Sequence, residues 1–537
     1  MISALLLYLL AAGFIAVLAY CLYVLHVHQK YDHIPGPPRD NFLLGHLPTL
    51  MRETQSEKLV HELLLQCFFL SEHLMVKVFL AFFLRGGTYG PVFRLNFFHY
   101  VKLMIHCPEA TKVKVSSEQC SPSGAAASDE CLKFQKILMS PKYLKDPFLY
   151  KRIFSMFGKR FLGNGLLTAT DHDVWYRQRR IMDPAFSSSY LRGLMSTFNE
   201  ASERLMDHLD ETAALNTPVV MHDLVNRVTL DIICKVAFGV DLNLMKQIHN
   251  PFQRAVELCL QGAVLDVRDP FCRLFPKNWK IIEEIKEATE LLRRTGEEWI
   301  ENRKRAAENG EDVPQDILTQ ILKSAEEEKA NGTDDHELML DNFVTFFIAG
   351  QETTANQLSF AIMELGRNPE IYKRAKAEVD EVLGTKRDIS FEDLGKFSYL
   401  SQVLKETLRL YPTAPGTNRW LHEDMVINGL KVPAGCSILF SSYVSQRLEK
   451  FFKDPLKFDP ERFDASAPKP YFCYYPFALG PRSCLGQVFS QMEAKVVLAK
   501  LLQRFEFSLV PGQLFDIKDT GTLRPKSGVI CTIKPSS

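Results

Sequence analysis

From Ile2 to Val27 the chain contains no Asp, Glu, Lys or Arg. Charge bias is missing too, since 64 Lys and Arg balance 64 Asp and Glu, so nothing in the bulk electrostatics points to nucleic acid. No Cys-x-x-Cys and no His cluster stands near Cys484, which excludes a structural zinc site there. The twelve cysteines follow no spacing pattern, which suits a reducing compartment better than a disulfide framework. A dinucleotide fingerprint is also absent: Gly163-Asn-Gly165 lacks the strand–turn–helix context that such a site requires. With 46% hydrophobic and 24% charged residues, the composition excludes a disordered chain and supports a large core.

The uncharged start, ISALLLYLLAAGFIAVLAYCLYVLHV, exceeds the length needed to cross a hydrocarbon core of roughly 30 Å at about 1.5 Å per residue. It lacks the basic n-region of a cleaved signal and the arginines of a transit peptide, so residues 1–28 read as a membrane anchor. Lys30 and Arg39 follow it, and the positive-inside rule places the remainder in the cytosol. Ile34-Pro-Gly-Pro-Pro38 then stops the helix, and residues 29–40 read as a stiff hinge. Residues 41–537 read as the one domain that would carry the chain's chemistry.

Chemistry concentrates near the C-terminus, in Phe477-Ala-Leu-Gly480-Pro-Arg482-Ser-Cys484-Leu-Gly486. One cysteine stands on a short loop between two glycines, with Arg482 two residues before it and Phe477 seven before it. A lone thiolate without companion ligands suggests haem iron, where an axial Cys favours O–O cleavage. Glycines let backbone N–H groups approach the sulfur, and the amphipathic helix from Gln487 to Arg504 turns its positive end toward it.

Three further patterns carry weight. A helix from about Glu337 to Arg367 is apolar on nearly every face, yet holds Ala349, Gly350, Glu352, Thr353 and Thr354 at its centre. The small pair could admit a flat cofactor or a diatomic ligand, and Gly350 with the two threonines a local kink. Glu352 and Thr353 form an acid–alcohol pair suited to relaying protons. Trp175 and Arg179 lie four apart on one helical face that could clamp an anion. Glu406 and Arg409 form an i, i+3 pair, and Pro460-Glu461-Arg462-Phe463 follows downstream.

Together and in this order, these motifs resemble the cytochrome P-450 (haem-thiolate monooxygenase) family. The resemblance implies a mainly α fold with a smaller β region, holding haem b between a long central helix and a Cys-ligand loop. It implies Cys484 as axial ligand of the iron, Trp175, Arg179 and Arg419 at the haem propionates, and Arg482, Phe477, Ala349 and Gly350 around the cofactor. Thr353 and Glu352 would deliver protons to dioxygen, while Glu406, Arg409 and Arg462 would form a structural network. Electrons would come from NADPH through a membrane-bound diflavin reductase at the endoplasmic reticulum. Longer strings, including HIPGPP, LDNFVTFFIAG and KLLQRFEFSLVPGQ, are similar to side-chain sterol hydroxylases of the family. The alternatives are a family member acting on other lipids or xenobiotics, and a haem-dependent isomerase or non-catalytic haem or lipid binder.

The remaining expectations are local. Pro91–Leu95 and Val101–Ile105 read as strands, and Met425–Val432 as a hairpin with an Asn428-Gly429 turn. Leu194 to about Glu308 reads as helical scaffold broken at Pro218, Pro251, Pro270 and Pro276, and Ser324–Glu337 as a solvated loop. Residues 67–86 and 115–134 fit neither neighbour nor family and read as insertions, of the kind retained non-coding sequence would leave.

Overall fold

The computed structural model describes residues 2–46, 92–105, 137–247, 250–269, 271–330, 336–427, 429–468 and 472–536. The blocks at 67–86 and 115–134 lie outside the described residues.

Helix α1 (Ile2–Tyr31) has one apolar span, Leu7–Tyr31, with a mean hydropathy of 2.2. It is long and apolar enough to cross a membrane, and its leucines, phenylalanine and tyrosines stand exposed up to Tyr23. Its last two turns are instead fastened to the body. Val24, His28 and Tyr31 are buried; His28 Nε2 donates to the Phe98 carbonyl at 2.7 Å and the Tyr31 hydroxyl to the Ala434 carbonyl at 2.9 Å.

The proline segment that follows is not a free pivot. Ile34 is fully buried, the Arg94 N–H donates to the Pro35 carbonyl at 2.8 Å, and His46 Nε2 to the Pro37 carbonyl at 3.0 Å. A Cβ on Gly36 would stand 2.6 Å from the Arg94 carbonyl oxygen. The prolines stop the helix as their chemistry requires, but tertiary bonds then seat the segment on a strand.

That strand is β1 (Val92–Phe97), which pairs antiparallel with β2 (Tyr100–Ile105) in the register Val92↔Ile105. A short helix, α2 (Pro147–Phe154), is capped by Asp146, whose side chain accepts from the Phe148 and Leu149 N–H groups, with Pro147 at the position that needs no donor. Helix α3 (His172–Met182) carries Trp175 and is capped in the same way by Asp171.

The scaffold continues through α4 (Met195–Ala214), α5 (Met221–Phe238), α6 (Pro251–Arg268) and α7 (Trp279–Glu308). Pro251 opens a helix rather than merely breaking one, with Asn250 as its cap. Helix α8 (Ile317–Ala330) corrects the first half of the expected loop, Ser324–Ala330, while residues 331–335 lie outside the described residues: its Ala, Glu and Lys residues are strong helix formers, and charge alone does not oppose helix.

Helix α9 (His336–Arg367) runs through the centre for 32 residues and packs against α5 and the C-terminal helices. After α10 (Pro369–Leu383) and α11 (Ser398–Leu410) come β3 (Gly416–Leu421), the hairpin of β4 (Met425–Ile427) and β5 (Leu430–Val432), and β6 (Cys436–Ser441). The four-stranded sheet has the order β1-β2-β6-β3, with β2 and β6 parallel through Lys102↔Ser437. Helix α12 (Gln487–Arg504) leads into β7 (Phe505–Leu509), the hairpin β8 (Ile517–Asp519) and β9 (Leu523–Pro525), and β10 (Ile530–Pro535). The result is mainly helical with a smaller β region.

Candidate active site

The cysteine loop precedes α12 directly. Its shape is set by the Cys484 N–H donating to the Phe477 carbonyl at 2.9 Å and by a single 3-10 turn at Gly480–Arg482. Gly480 has φ +74, and a Cβ there would stand 2.3 Å from the Leu138 carbonyl oxygen, so conformation and close approach both demand glycine. Cys484 is accessible although dense protein surrounds it, so its thiol borders an interior space. Burial raises its pKa, opposed by the Gly486 N–H and by Arg179.

Helix α9 has an accessible patch as well. From Met339 to Leu365 every residue is buried except Ala349, Gly350 and Thr353. Ala349 and Thr353 are one helical turn apart, so one face of an otherwise fully packed helix is left without protein against it. Gly350 has a different reason to be small from the one expected: a Cβ there would meet Ile233 of α5 at 2.5 Å. The helix is continuous, and the Thr353 hydroxyl donates to the Ala349 carbonyl at 3.1 Å. Glu352 is buried on another side of the helix, where its Oε1 accepts from Asn356 at 3.1 Å and Thr522 at 3.0 Å. Burial raises its pKa, and Arg524, Asn356 and Thr522 oppose the rise.

Trp175 and Arg179 both reach the cysteine loop. Arg179 donates from Nη1 to the Ser483 carbonyl at 2.8 Å and from Nε to Asp183 at 2.9 Å. Trp175 packs under the Arg482 guanidinium, 4.2 Å from ring centroid to carbon. Two further cations have spare buried donors: Nε and Nη2 of buried Arg419 and Nη1 of half-buried Arg482 have no protein acceptor among the described residues.

Lys145 completes this group, and sequence reasoning missed it. Its ammonium donates to the Tyr150 hydroxyl at 2.9 Å and the Thr417 hydroxyl at 3.3 Å. Burial, then Arg419 and Arg482, push its pKa well below the usual lysine value. Burial and Arg419 push Arg482 down to about 9, while burial carries Tyr150 up to about 12. No local signal marks Lys145: Tyr150 is five residues away, but Thr417, Arg419 and Arg482 lie hundreds of residues away in sequence. Among the described residues no carboxylate pairs with these three cations. Like charges gathered in a dry place are costly unless an anion completes them. The observed residues therefore fit a ligand with more than one carboxylate, held by a cluster whose Arg482 stands two residues from the accessible Cys484, as a haem would require.

The expected network also comes together. Arg409 donates to both oxygens of Glu406 at 2.7 and 2.8 Å, and Arg462 approaches Glu406 Oε1 at 3.3 Å. Glu406 and Arg409 are wholly buried, and Arg409 also donates to the carbonyls of Gln446, Pro455 and Lys457.

Residues 134–533 match the sequence-family model described as cytochrome P450. Relatives include cytochrome P450 4d2 of Drosophila melanogaster, 29% identical over 431 residues that cover 74% of this chain and 82% of that protein. Cytokinin hydroxylase of Arabidopsis thaliana is 33% identical over 383 residues, covering 70% and 73%. Cytochrome P450 3A16 of Mus musculus is 29% identical over 387 residues, covering 69% and 76%. Members of the family are monooxygenases that use thiolate-ligated haem iron, dioxygen and NADPH electrons passed on by a partner reductase. The family match spans most of the chain and agrees with the thiol, the cleared helix face and the cation cluster: the chain belongs to the cytochrome P450 family.

Proposed function

We propose that this member of the family hydroxylates a sterol from a membrane-anchored position at the endoplasmic reticulum, with the cholesterol side chain at the 24 position as its target. The observation that carries the sterol reading is a set of strings, HIPGPP with FLLGHLP, LDNFVTFFIAG, LSQVLKETLRLYP, APKP and KLLQRFEFSLVPGQ, similar to cholesterol 24-hydroxylase. The apolar span of α1 supports a substrate drawn from a bilayer.

Cys484 would hold the iron, and Lys145, Arg419 and Arg482 would hold the carboxylates at the cofactor's edge. When bound, the haem supplies dioxygen activation and C–H hydroxylation. The protein's own share is electrostatic and steric. Arg179 braces the loop through Ser483, Trp175 supports Arg482, and Phe477 closes the loop by its carbonyl. Ala349 leaves room on α9, the Thr353 hydroxyl stands at the accessible face, and Glu352, whose pKa burial raises, would supply protons from another side of the helix.

Reconstitution with a diflavin reductase and a panel of sterols, with products located by mass spectrometry, tests the reading. A sterol hydroxylated on its side chain is the expected result. The second reading, a hydroxylase of other lipids or xenobiotics, is favoured by relatives whose names span cytokinin hydroxylase and cytochrome P450 3A16. It takes first place if no sterol is turned over.

A further inference from the structure

Glu352 and Thr353 are adjacent in sequence and their side chains diverge. The Thr353 hydroxyl stays on its own helix at the Ala349 carbonyl, whereas Glu352 is bonded to the far end of the chain. Thr522, at the turn between β8 and β9, donates to Glu352 Oε1 at 3.0 Å; Asn356 donates to the same oxygen at 3.1 Å and to the Thr522 hydroxyl oxygen at 3.4 Å. The three groups close a triangle. The backbone fixes the Thr522 corner, because the Thr520 N–H donates to the Thr522 carbonyl at 2.9 Å and the Leu523 N–H to the Thr413 carbonyl at 3.0 Å.

Two residues further on, Arg524 pairs with Glu257 of α6 at 2.5 Å, and Arg524 acts directly on Glu352. Glu257 is 30% exposed, whereas Glu352 is buried. His222 and Asp223 on α5 and Lys518 on β8 share the field of Arg524. A buried carboxyl that gives up a proton becomes a buried anion, and that anion is costly unless donors and a cation await it. Thr522 and Asn356 are such donors, and Arg524 is such a cation.

We propose that Thr522 is a positioning residue for proton delivery: its hydroxyl holds the Glu352 carboxyl and steadies the carboxylate once its proton has left, with Arg524 supplying compensating positive charge that Glu257 partly offsets. In this step the carboxyl O–H bond breaks as its proton passes to a water molecule bridging toward the Thr353 hydroxyl, that water gives up one of its own protons on the Thr353 side, and the carboxylate is reprotonated by solvent water. No electron moves. The C-terminal hairpin thereby belongs to the reaction and not only to the fold. The inference rests on the proton-delivery reading of Glu352 and Thr353 given above.

The test uses the full-length holoenzyme with reductase in phospholipid vesicles, with cholesterol as probe substrate and lauric acid where cholesterol is not turned over. Thr522→Val, Thr522→Ser and Glu352→Gln are compared by product formed per NADPH, solvent deuterium isotope effect, and the infrared carbonyl stretch lost in Glu352→Gln. Thr522→Val is expected to lose roughly tenfold in coupling, the scale of one hydrogen bond to a charged group, with a larger isotope effect and a shifted carbonyl stretch. Thr522→Ser restores all three.

If Thr522→Val matches the parent while Glu352→Gln uncouples, the role of Thr522 is overturned and the relay reading stands. If Glu352→Gln also couples normally, the relay reading itself falls. A Thr522→Val protein that loses haem content in proportion to coupling assigns Thr522 a purely structural role and overturns the proposal.

Discussion

The Arg482 guanidinium lies over the Trp175 indole at 4.2 Å, with Nη2 donating to the Ala169 carbonyl at 2.9 Å and Nη1 meeting no protein acceptor among the described residues. A cation–π contact of this kind is worth about 0.5–2 kcal/mol, enough to orient a cation but not to satisfy it. The aromatic ring of α3 thus holds in place a charge two residues from Cys484.

Lys145 provides the sharpest test of that arrangement. Lys145→Met removes one of three clustered cations while keeping most of the side-chain volume. Haem transfer to apomyoglobin is expected to speed up about tenfold, the scale of one charge-assisted hydrogen bond. An unchanged transfer rate would remove Lys145 from the cofactor site.

Cys484→Ser replaces the sole thiol of the loop. The reduced, carbon monoxide-treated protein is expected to lose the red-shifted Soret band of a thiolate-ligated haem. Survival of that band would sink the assignment of Cys484.

His222 predicts a pH dependence of stability. Its Nδ1 lies 3.0 Å from the Ser359 hydroxyl, and burial, helped by Arg524, pushes its pKa down to about 3. The unfolded chain, with a pKa near 6.5, therefore binds the proton first. Its contribution to stability is complete above about pH 6.5 and is lost as pH falls toward about 3, by up to about 1.4 kcal/mol per pH unit. Urea unfolding followed from neutral pH to about pH 4 should show that slope, and His222→Gln should reduce it by one proton.

Arg409→Met is expected to destabilise by about 3–5 kcal/mol, because it leaves the Glu406 carboxylate buried without its bidentate partner. Adding Glu406→Gln should recover part of the loss, since the stranded charge is then gone. A double variant no better than the single one would show that the carbonyl bonds to Gln446, Pro455 and Lys457 carry the stability instead.

Long elements with one dominant pattern were legible in the sequence. Helix α12 spans Gln487–Arg504 as its amphipathic text indicates, and α9 begins one residue before the expected start and ends at Arg367. Both strands of the β1–β2 hairpin are where their alternation places them, each a residue or two longer. Ser324–Ala330 was not legible, because its charge suggested solvent while its helix-forming residues extended α8. Gly350 was read for its smallness toward a ligand, but its Cβ position belongs to Ile233 on another helix, which no local pattern reports.

The same division holds for the active site. By itself the sequence determined that one thiol stands on a glycine-bounded loop, that a polar group interrupts an apolar central helix, and that the chain starts with a membrane-length apolar segment. Such features depend on residue type and short spacing, which covalent neighbours are enough to define. Tertiary structure alone decided that Lys145, Arg419 and Arg482 form one cluster of cations, that Glu352 turns away from Thr353 toward Thr522, and that the proline segment is bonded to β1. Each of these brings together groups far apart in the chain, and their energies come from burial and mutual charge that exist only once the core has closed.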